Sequence, residues 1–292
     1  MSESIDLLES YGLPSRTEIV AICQQGGYGC SGIPLRQHPD GPVLAWVKYG
    51  PSTSLAEATT QDWVSKTLNA NPAQGVRAPR VFDAFLSPHP KLPRNIGYIV
   101  MEYIDLPDCD ENDFKLVARA MNCLIELESP SSAPGPVGGG EAVNAFFPYW
   151  DSGLTYNSVR ELEEHINLIL KSREFHKKQV DLVAESGDRL LLCPCDVKPS
   201  KFKKGANGEV VALDFGLACF MPPAFLAFSN TTFNTPFAHK VARYVNYPTS
   251  DNVFPMSVAS WFLVLYGKCD IALPKSMRLN RKSSAETIVA GR

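Results

Sequence analysis

Cys193-Pro194-Cys195-Asp196-Val197-Lys198-Pro199-Ser200-Lys201-Phe202, followed by Leu213-Asp214-Phe215-Gly216, is the stretch on which the reading of this chain turns. It sets two aspartates eighteen residues apart. The first opens Asp-x-Lys-Pro, a turn-forming run on a loop, and the second closes the apolar run Val210-Val211-Ala212-Leu213, which reads as a buried strand. Each has a purely structural explanation: an Asp beginning a turn ahead of Pro199, and an Asp-x-Gly turn ending a strand. The chemical explanation is that both carboxylates face one cleft. One would orient a hydroxyl and take its proton, and the other, a hard oxygen donor at a strand end, would suit a divalent cation. Lys201 stands against the second role, because an ammonium cannot coordinate a cation and repels one.

The rest of the chain sets the frame. At 292 residues it can form one large domain or two lobes around a cleft. Apolar residues at 45% and charged residues at 20% belong to a globular protein without extensive disorder. A net charge of −3 and a pI near 6.0 give no general pull toward nucleic acid or anionic membranes, so neither is expected as a partner. Basic residues gather only near the end, at Lys275, Arg278, Arg281, Lys282 and Arg292, the pattern of a solvated, frayed terminus. The opening MSESIDLLESYG has acids and no apolar run, unlike a secretory signal, and Val258 to Tyr266 is too short to span a bilayer. With the eight cysteines read as reduced thiols, a cytoplasmic location is the expectation. Cys193-x-Cys195 lacks zinc-site spacing, and its single intervening proline would strain a disulfide. The five histidines, His38, His89, His165, His176 and His239, show no metal spacing, and most are expected at the surface.

Periodicity predicts strands early and helices late. Thr17 to Cys23 is β-prone, Gly26-Gly27-Tyr28-Gly29 is a glycine-rich turn, and Val43 to Tyr49 alternates as the returning strand of a hairpin. Ser54 opens a helix with Glu57 completing a capping box, and Ala78 to Phe85 and Gly97 to Ile104 read as further strands. Asp113 to Glu128 carries a 3.6-residue apolar stripe, Ser129 to Gly140 is a Pro- and Gly-rich loop, and Ser158 with Glu161 caps a second strong helix. Phe254 to Tyr266 reads as a buried helix. A composition shift near residue 105 divides the chain into 1–104 and 105–292.

The order of a glycine loop, Val47-Lys48, Glu57, Tyr98-Ile99-Val100-Met101-Glu102-Tyr103, Asp196-x-Lys-Pro and Asp214-Phe215-Gly216 resembles the protein kinase-like superfamily. Within it the chain looks most like the aminoglycoside/choline phosphotransferase type, in its divergent fungal branch. Lys48-Tyr49-Gly50 with Ala56-Glu57-Ala58, Gly135 to Gly140 and Phe220 to Phe225 are similar to that branch. The resemblance implies an α+β bilobal fold: a small antiparallel sheet with one helix at 1–104, which would bind ATP, and a larger helical lobe at 105–292. It implies ATP and magnesium as cofactors. Asp196 would stand at the catalytic base, Lys198 at the lysine touching the transferred phosphoryl, and Asp214 at the metal ligand. Lys48 would grip the α- and β-phosphates with Glu57 as its helix partner. Glu102 to Ile104 would be the hinge whose backbone meets adenine, and Gly27 and Gly29 would lie in the phosphate loop. This sequence departs twice: Pro194-Cys195 stands where small-molecule kinases commonly have His-Gly, and Lys201 where the family places the asparagine of the second metal.

Beside the resemblance, the residues allow other readings. Lys198 with Lys201, Lys203 and Lys204 forms an ordinary solvated basic turn as readily as a phosphate contact. Glu57 serves equally as a helix cap or an ion-pair partner of Lys48. Gly27 and Gly29 serve a turn as well as a phosphate cradle. Two functions follow: transfer of the ATP γ-phosphoryl group to a hydroxyl of a small molecule, or a catalytically impaired relative that binds a nucleotide or a partner protein. No Ala-Pro-Glu signature follows Asp214, which argues against a protein acceptor, and no motif encodes an oligomeric state. Phe146, Phe147, Tyr149 and Trp150 would line the acceptor pocket or simply pack.

Overall fold

The structure, a computed structural model, describes residues 8, 11–27, 32–38, 40–89, 92–175, 179–187, 189–232 and 235–278. Gly29, His176, Arg281, Lys282 and Arg292, named above, lie outside the described residues. The fold is α+β, as expected. It divides into two compact units, residues 1–123 with 196–216 and residues 124–195 with 217–292. The first unit runs on past residue 104 to residue 123 and takes back residues 196–216, which pair with its strands.

The first unit opens with a correction. Residues 16–26 form helix α1 (Arg16–Gly26), not the first strand of a hairpin. Ser15 and Glu18 make a capping box: each side chain accepts from the other residue's backbone N–H, so two orphan donors are satisfied reciprocally. That local bonding and the apolar pair Ile19 and Cys23, both at zero exposure, outweigh the β-branched composition of TEIVAIC. Gly27 caps the helix C-terminus, and its carbonyl accepts from the Tyr49 hydroxyl at 2.6 Å.

A four-stranded antiparallel sheet follows, built from β1 (Ile33–Arg36), β2 (Val43–Gly50), β4 (Val81–Ser87) and β5 (Ile96–Met101) in the order β1-β2-β5-β4. Its alternation gives it two apolar faces. Ala45, Val47, Tyr49, Phe85, Tyr98 and Val100 pack with Ile19 and Cys23 of α1 on one side. Ile99 and Met101 pack with Ala58 of helix α2 (Leu55–Asn69) on the other, with Trp46 against them. Lys48 pairs in register with Ile99, so it points to the α2 side. Arg16 ties α1 to β4 through a two-pronged pair with Asp83, both contacts at 2.7 Å, and lies 5.1 Å over the Phe85 ring. A second sheet is three-stranded: β3 (Val76–Arg77) runs parallel to β8 (Val210–Ala212), which pairs antiparallel with β7 (Phe202–Lys204).

Helix α3 (Phe114–Ile125) leads to the second unit, which holds helices α4 (Val159–Ser172), α5 (Leu182–Ser186), α6 (Pro223–Thr231), α7 (Pro236–Ala242) and α8 (Val253–Tyr266) and the antiparallel pair β6 (Leu191–Pro194) and β9 (Ala218–Met221). The Ser158 hydroxyl caps α4, but the Glu161 carboxylate turns to the Asn157 amide and the Ser276 hydroxyl, so the capping box expected there is only half formed. Phe146 and Phe147 are core residues, with Phe146 edge-on to Phe147, Phe225 and Phe228, whereas Tyr149 is 89% exposed.

Helix α8 was expected to be buried and is so on one side only: Met256, Ala259 and Leu263 face inward while Phe254, Trp261, Val264 and Leu265 are exposed. His165 is the buried exception among the described histidines. It accepts from the Tyr156 hydroxyl and donates to the Ile271 carbonyl, which a neutral ring satisfies, and burial pushes its pKa down accordingly. Seven cysteines among the described residues carry free thiols, and no described helix is long and apolar enough to cross a membrane.

Candidate functional site

Six charged side chains of the first unit form one continuous network. Lys48 Nζ donates to Glu57 Oε1 at 2.5 Å and to Asp214 Oδ1 at 2.7 Å. Lys201 Nζ donates to Asp214 Oδ2 and lies 3.6 Å from Asp196 Oδ2. Lys198 Nζ lies 2.8 Å from Asp196 Oδ1. The two aspartates singled out by the sequence are therefore bridged by a single ammonium.

Local structure dictates each placement. Strand β2 presents Lys48, and the first turn of α2 presents Glu57 nine residues later. The Ser54 hydroxyl caps α2 by accepting from the Glu57 N–H at 3.1 Å, while the Glu57 carboxylate goes to Lys48. Of the two sequence readings of Glu57, the ion pair is the one formed. Pro199 starts a single 3-10 turn at the position where a missing N–H costs nothing, and that turn delivers Lys201 to the start of β7. The β7–β8 register then continues one residue outward: the Leu213 N–H donates to the Lys201 carbonyl at 2.8 Å, which puts Lys201 beside Asp214.

Asp214 itself has a left-handed backbone, φ 60°, uncommon for a residue with a side chain. Gly216 lies against the carboxylates: a Cβ there would sit 3.1 Å from Glu57 Oε2 and 3.4 Å from Asp214 Oδ1. A methyl there would need the Glu57 carboxylate to give by a few tenths of an ångström.

The electrostatics follow from burial and partners. The Glu57 side chain is 3% exposed, and burial raises its pKa despite the Lys48 ammonium. Burial works the same way on Asp214, but there Lys48 and Lys201 prevail and hold it well below the ordinary carboxylate range. Burial would lower Lys48, yet Glu57 and Asp214 raise it, so it stays charged. Three ammoniums face three carboxylates, and the network is neutral as it stands.

The remaining expected site residues lie apart from this network. Glu102 pairs with Arg77 at 3.0 Å and accepts from the Arg80 N–H, while Arg77 also holds Glu209 at 2.6 Å. Ile104 is buried. Gly27 stands at the carbonyl end of α1, the negative end of the helix dipole, with its N–H turned to Gln24 O. It is not in a hairpin loop of exposed amides. The charge of Lys201 at the fifth position after Asp196 is legible in the sequence; its direct bond to Asp214 is not.

A divalent metal fits this arrangement poorly. Both oxygens of Asp214 accept from ammoniums, and among the described residues no three His, Cys, Asp or Glu side chains are grouped to hold an ion. Two unit charges about 4 Å apart at an effective dielectric near 20 repel by about 4 kcal/mol, so a dication beside Lys201 would meet roughly twice that.

No protein-family model and no curated protein matches the chain. Solved structures do, at low identity. A thermostable mutant of aminoglycoside phosphotransferase APH(4)-Ia, in ternary complex with ADP and hygromycin B, is 13% identical over 87% of this chain and 91% of its own, with a TM-score of 0.44. A protein described as a fructosamine-3-kinase from Haemophilus somnus 129PT is 10% identical over 82% of this chain and 83% of its own, with a TM-score of 0.42. Choline kinase LicA from Streptococcus pneumoniae is 14% identical over 95% of this chain and 100% of its own, with a TM-score of 0.33. With TM-scores below 0.5, these likenesses lend no weight to a function, which rests on the residues above.

Proposed function

We propose that the first unit binds a nucleoside triphosphate and that the protein transfers its γ-phosphoryl group to a hydroxyl of a small molecule. The observation that supports this reading is the ion-paired network joining Lys48, Glu57, Asp196, Lys198, Lys201 and Asp214. Phosphoryl transfer asks little covalent chemistry of a protein. It asks for positioning and for positive charge where the phosphate oxygens lie. In this reading Lys48, held by Glu57, contacts the α- and β-phosphates. Asp196 orients the acceptor hydroxyl and takes its proton, and Lys198 meets the moving phosphoryl group. The backbone of Glu102 to Ile104 receives the adenine.

A second reading is favoured by one specific contact. Lys201 occupies Asp214, and a site built that way could bind nucleotide without turning it over. Thermal shift with ATP or ADP, followed by ADP release in the presence of hydroxylated small molecules, tests both. Stabilisation with acceptor-dependent ADP release supports transfer, and Asp196→Asn should then lower turnover by about 100-fold or more while leaving stabilisation intact. Stabilisation without turnover supports the second reading. No response to either nucleotide rejects both.

A further inference from the structure

We propose that Lys201 is a built-in counter-cation, so that the site takes its nucleotide free of a divalent metal. This rests on the nucleotide reading above and deepens it by naming the form of the ligand.

The contacts that hold Lys201 carry the inference. Its backbone is fixed on both sides, by the 3-10 turn that begins at Pro199 and by the Leu213 N–H on its carbonyl. Its ammonium reaches both aspartates, Asp214 directly and Asp196 at 3.6 Å, with the side chain 24% exposed. A cation that must bridge two acids and meet polyphosphate oxygens would stand in this place. The neighbouring basic residues cannot substitute for it. Lys203 is held by Asp108 at 3.0 Å and by the Leu106 carbonyl, and Lys204 by Asp110 and Asp113 at 3.0 and 2.6 Å. Of the two aspartates, Lys48 reaches Asp214 and Lys198 reaches Asp196, each one alone. Lys201 is therefore the cation that links the two aspartates. Phosphate oxygens entering the site would draw this ammonium from Asp214 to themselves, with no metal ion exchanged. An uncharged side chain at 201 would leave three carboxylates against two ammoniums, the imbalance that attracts a dication.

Calorimetric titration of the full chain with ATP, first in excess EDTA and then in excess magnesium chloride, tests the proposal. The wild type is expected to bind ATP with dissociation constants within about threefold in the two buffers. Lys201→Asn is expected to bind at least tenfold more tightly with magnesium than with EDTA, and Lys201→Met to bind weakly in EDTA. A wild type that binds ATP only with magnesium overturns the proposal and leaves the nucleotide reading standing. A wild type that binds ATP in neither buffer overturns the nucleotide reading, and the proposal with it. The wild-type comparison decides the matter even where a variant folds badly.

Discussion

Lys48→Met would leave Glu57 without its cation in a place where water hardly reaches, since the Glu57 side chain is 3% exposed and its bond to Lys48 is 2.5 Å. Breaking one side of a buried pair costs about 3–5 kcal/mol. Lys48 is 22% exposed, so solvent can reach the vacated space, and the lower end, about 3 kcal/mol, is expected. At about 2–4 °C per kcal/mol for a chain of this size, the melting temperature should drop by roughly 6–12 °C. Adding Glu57→Leu removes the orphaned charge, and the double variant should recover to within about 1 kcal/mol of the wild type.

The pH dependence gives an independent check. The folded pKa of Glu57 is already raised by burial, and losing Lys48 raises it further. For an acid raised in the folded state, folding takes up protons. The penalty is therefore full above the raised value and fades as pH falls through it toward the unfolded value of about 4.3. The melting-temperature gap between wild type and Lys48→Met should narrow from pH 7 to pH 5. Thermal and urea unfolding of the wild type, the single variant and the double variant at both pH values would measure this. A double variant no more stable than the single, or a gap that does not narrow, refutes the reasoning.

Two further outcomes are expected. Arg16→Ala should destabilise by about 2–3 kcal/mol, because it strips the 5% exposed Asp83 carboxylate of a two-pronged partner, and urea unfolding would register it; a change under about 0.5 kcal/mol would mean that α1 is held by apolar contact alone. Gly216→Ala should cost about 1–3 kcal/mol as its Cβ presses on Glu57 and Asp214, and it should weaken any thermal shift caused by ATP; unchanged stability and response would show that both carboxylates can give way freely.

Where local bonding agreed with composition, the sequence was readable. The alternation of Val43 to Tyr49 and the run before Asp214 became strands, and the stripes around Leu124 and Ile166 became helices. Thr17 to Cys23 misled because β-branched residues suggested a strand while Ser15 and Glu18, three apart, already spelled a capping box. Strand β7 went unseen because three residues, two of them lysines, carry no periodic signal and pair only through their partner β8. Lys48, Glu57, Asp196, Lys198 and Asp214 were nominated by the resemblance in motif order, and the structure joins them in one ion-paired network. That Lys201 would bridge the aspartates follows from the β7–β8 register, which no single segment encodes. The Arg77, Glu102 and Glu209 cluster and the buried His165 were illegible for the same reason, since their partners come from distant positions.

The first unit is not a continuous piece of chain: β3, at residues 76–77, waits for β8, at residues 210–212, as its neighbour. During synthesis the N-terminal sheet and its two helices could assemble early, but that body would stay unfinished until more than a hundred further residues had left the ribosome. Lys48 and Glu57 would meet in the nascent chain long before either aspartate arrives, so the neutral network is among the last features of the first unit to be completed. A protein stalled or cut short before residue 214 would keep most of this body's architecture and expose an ion pair with nothing to serve.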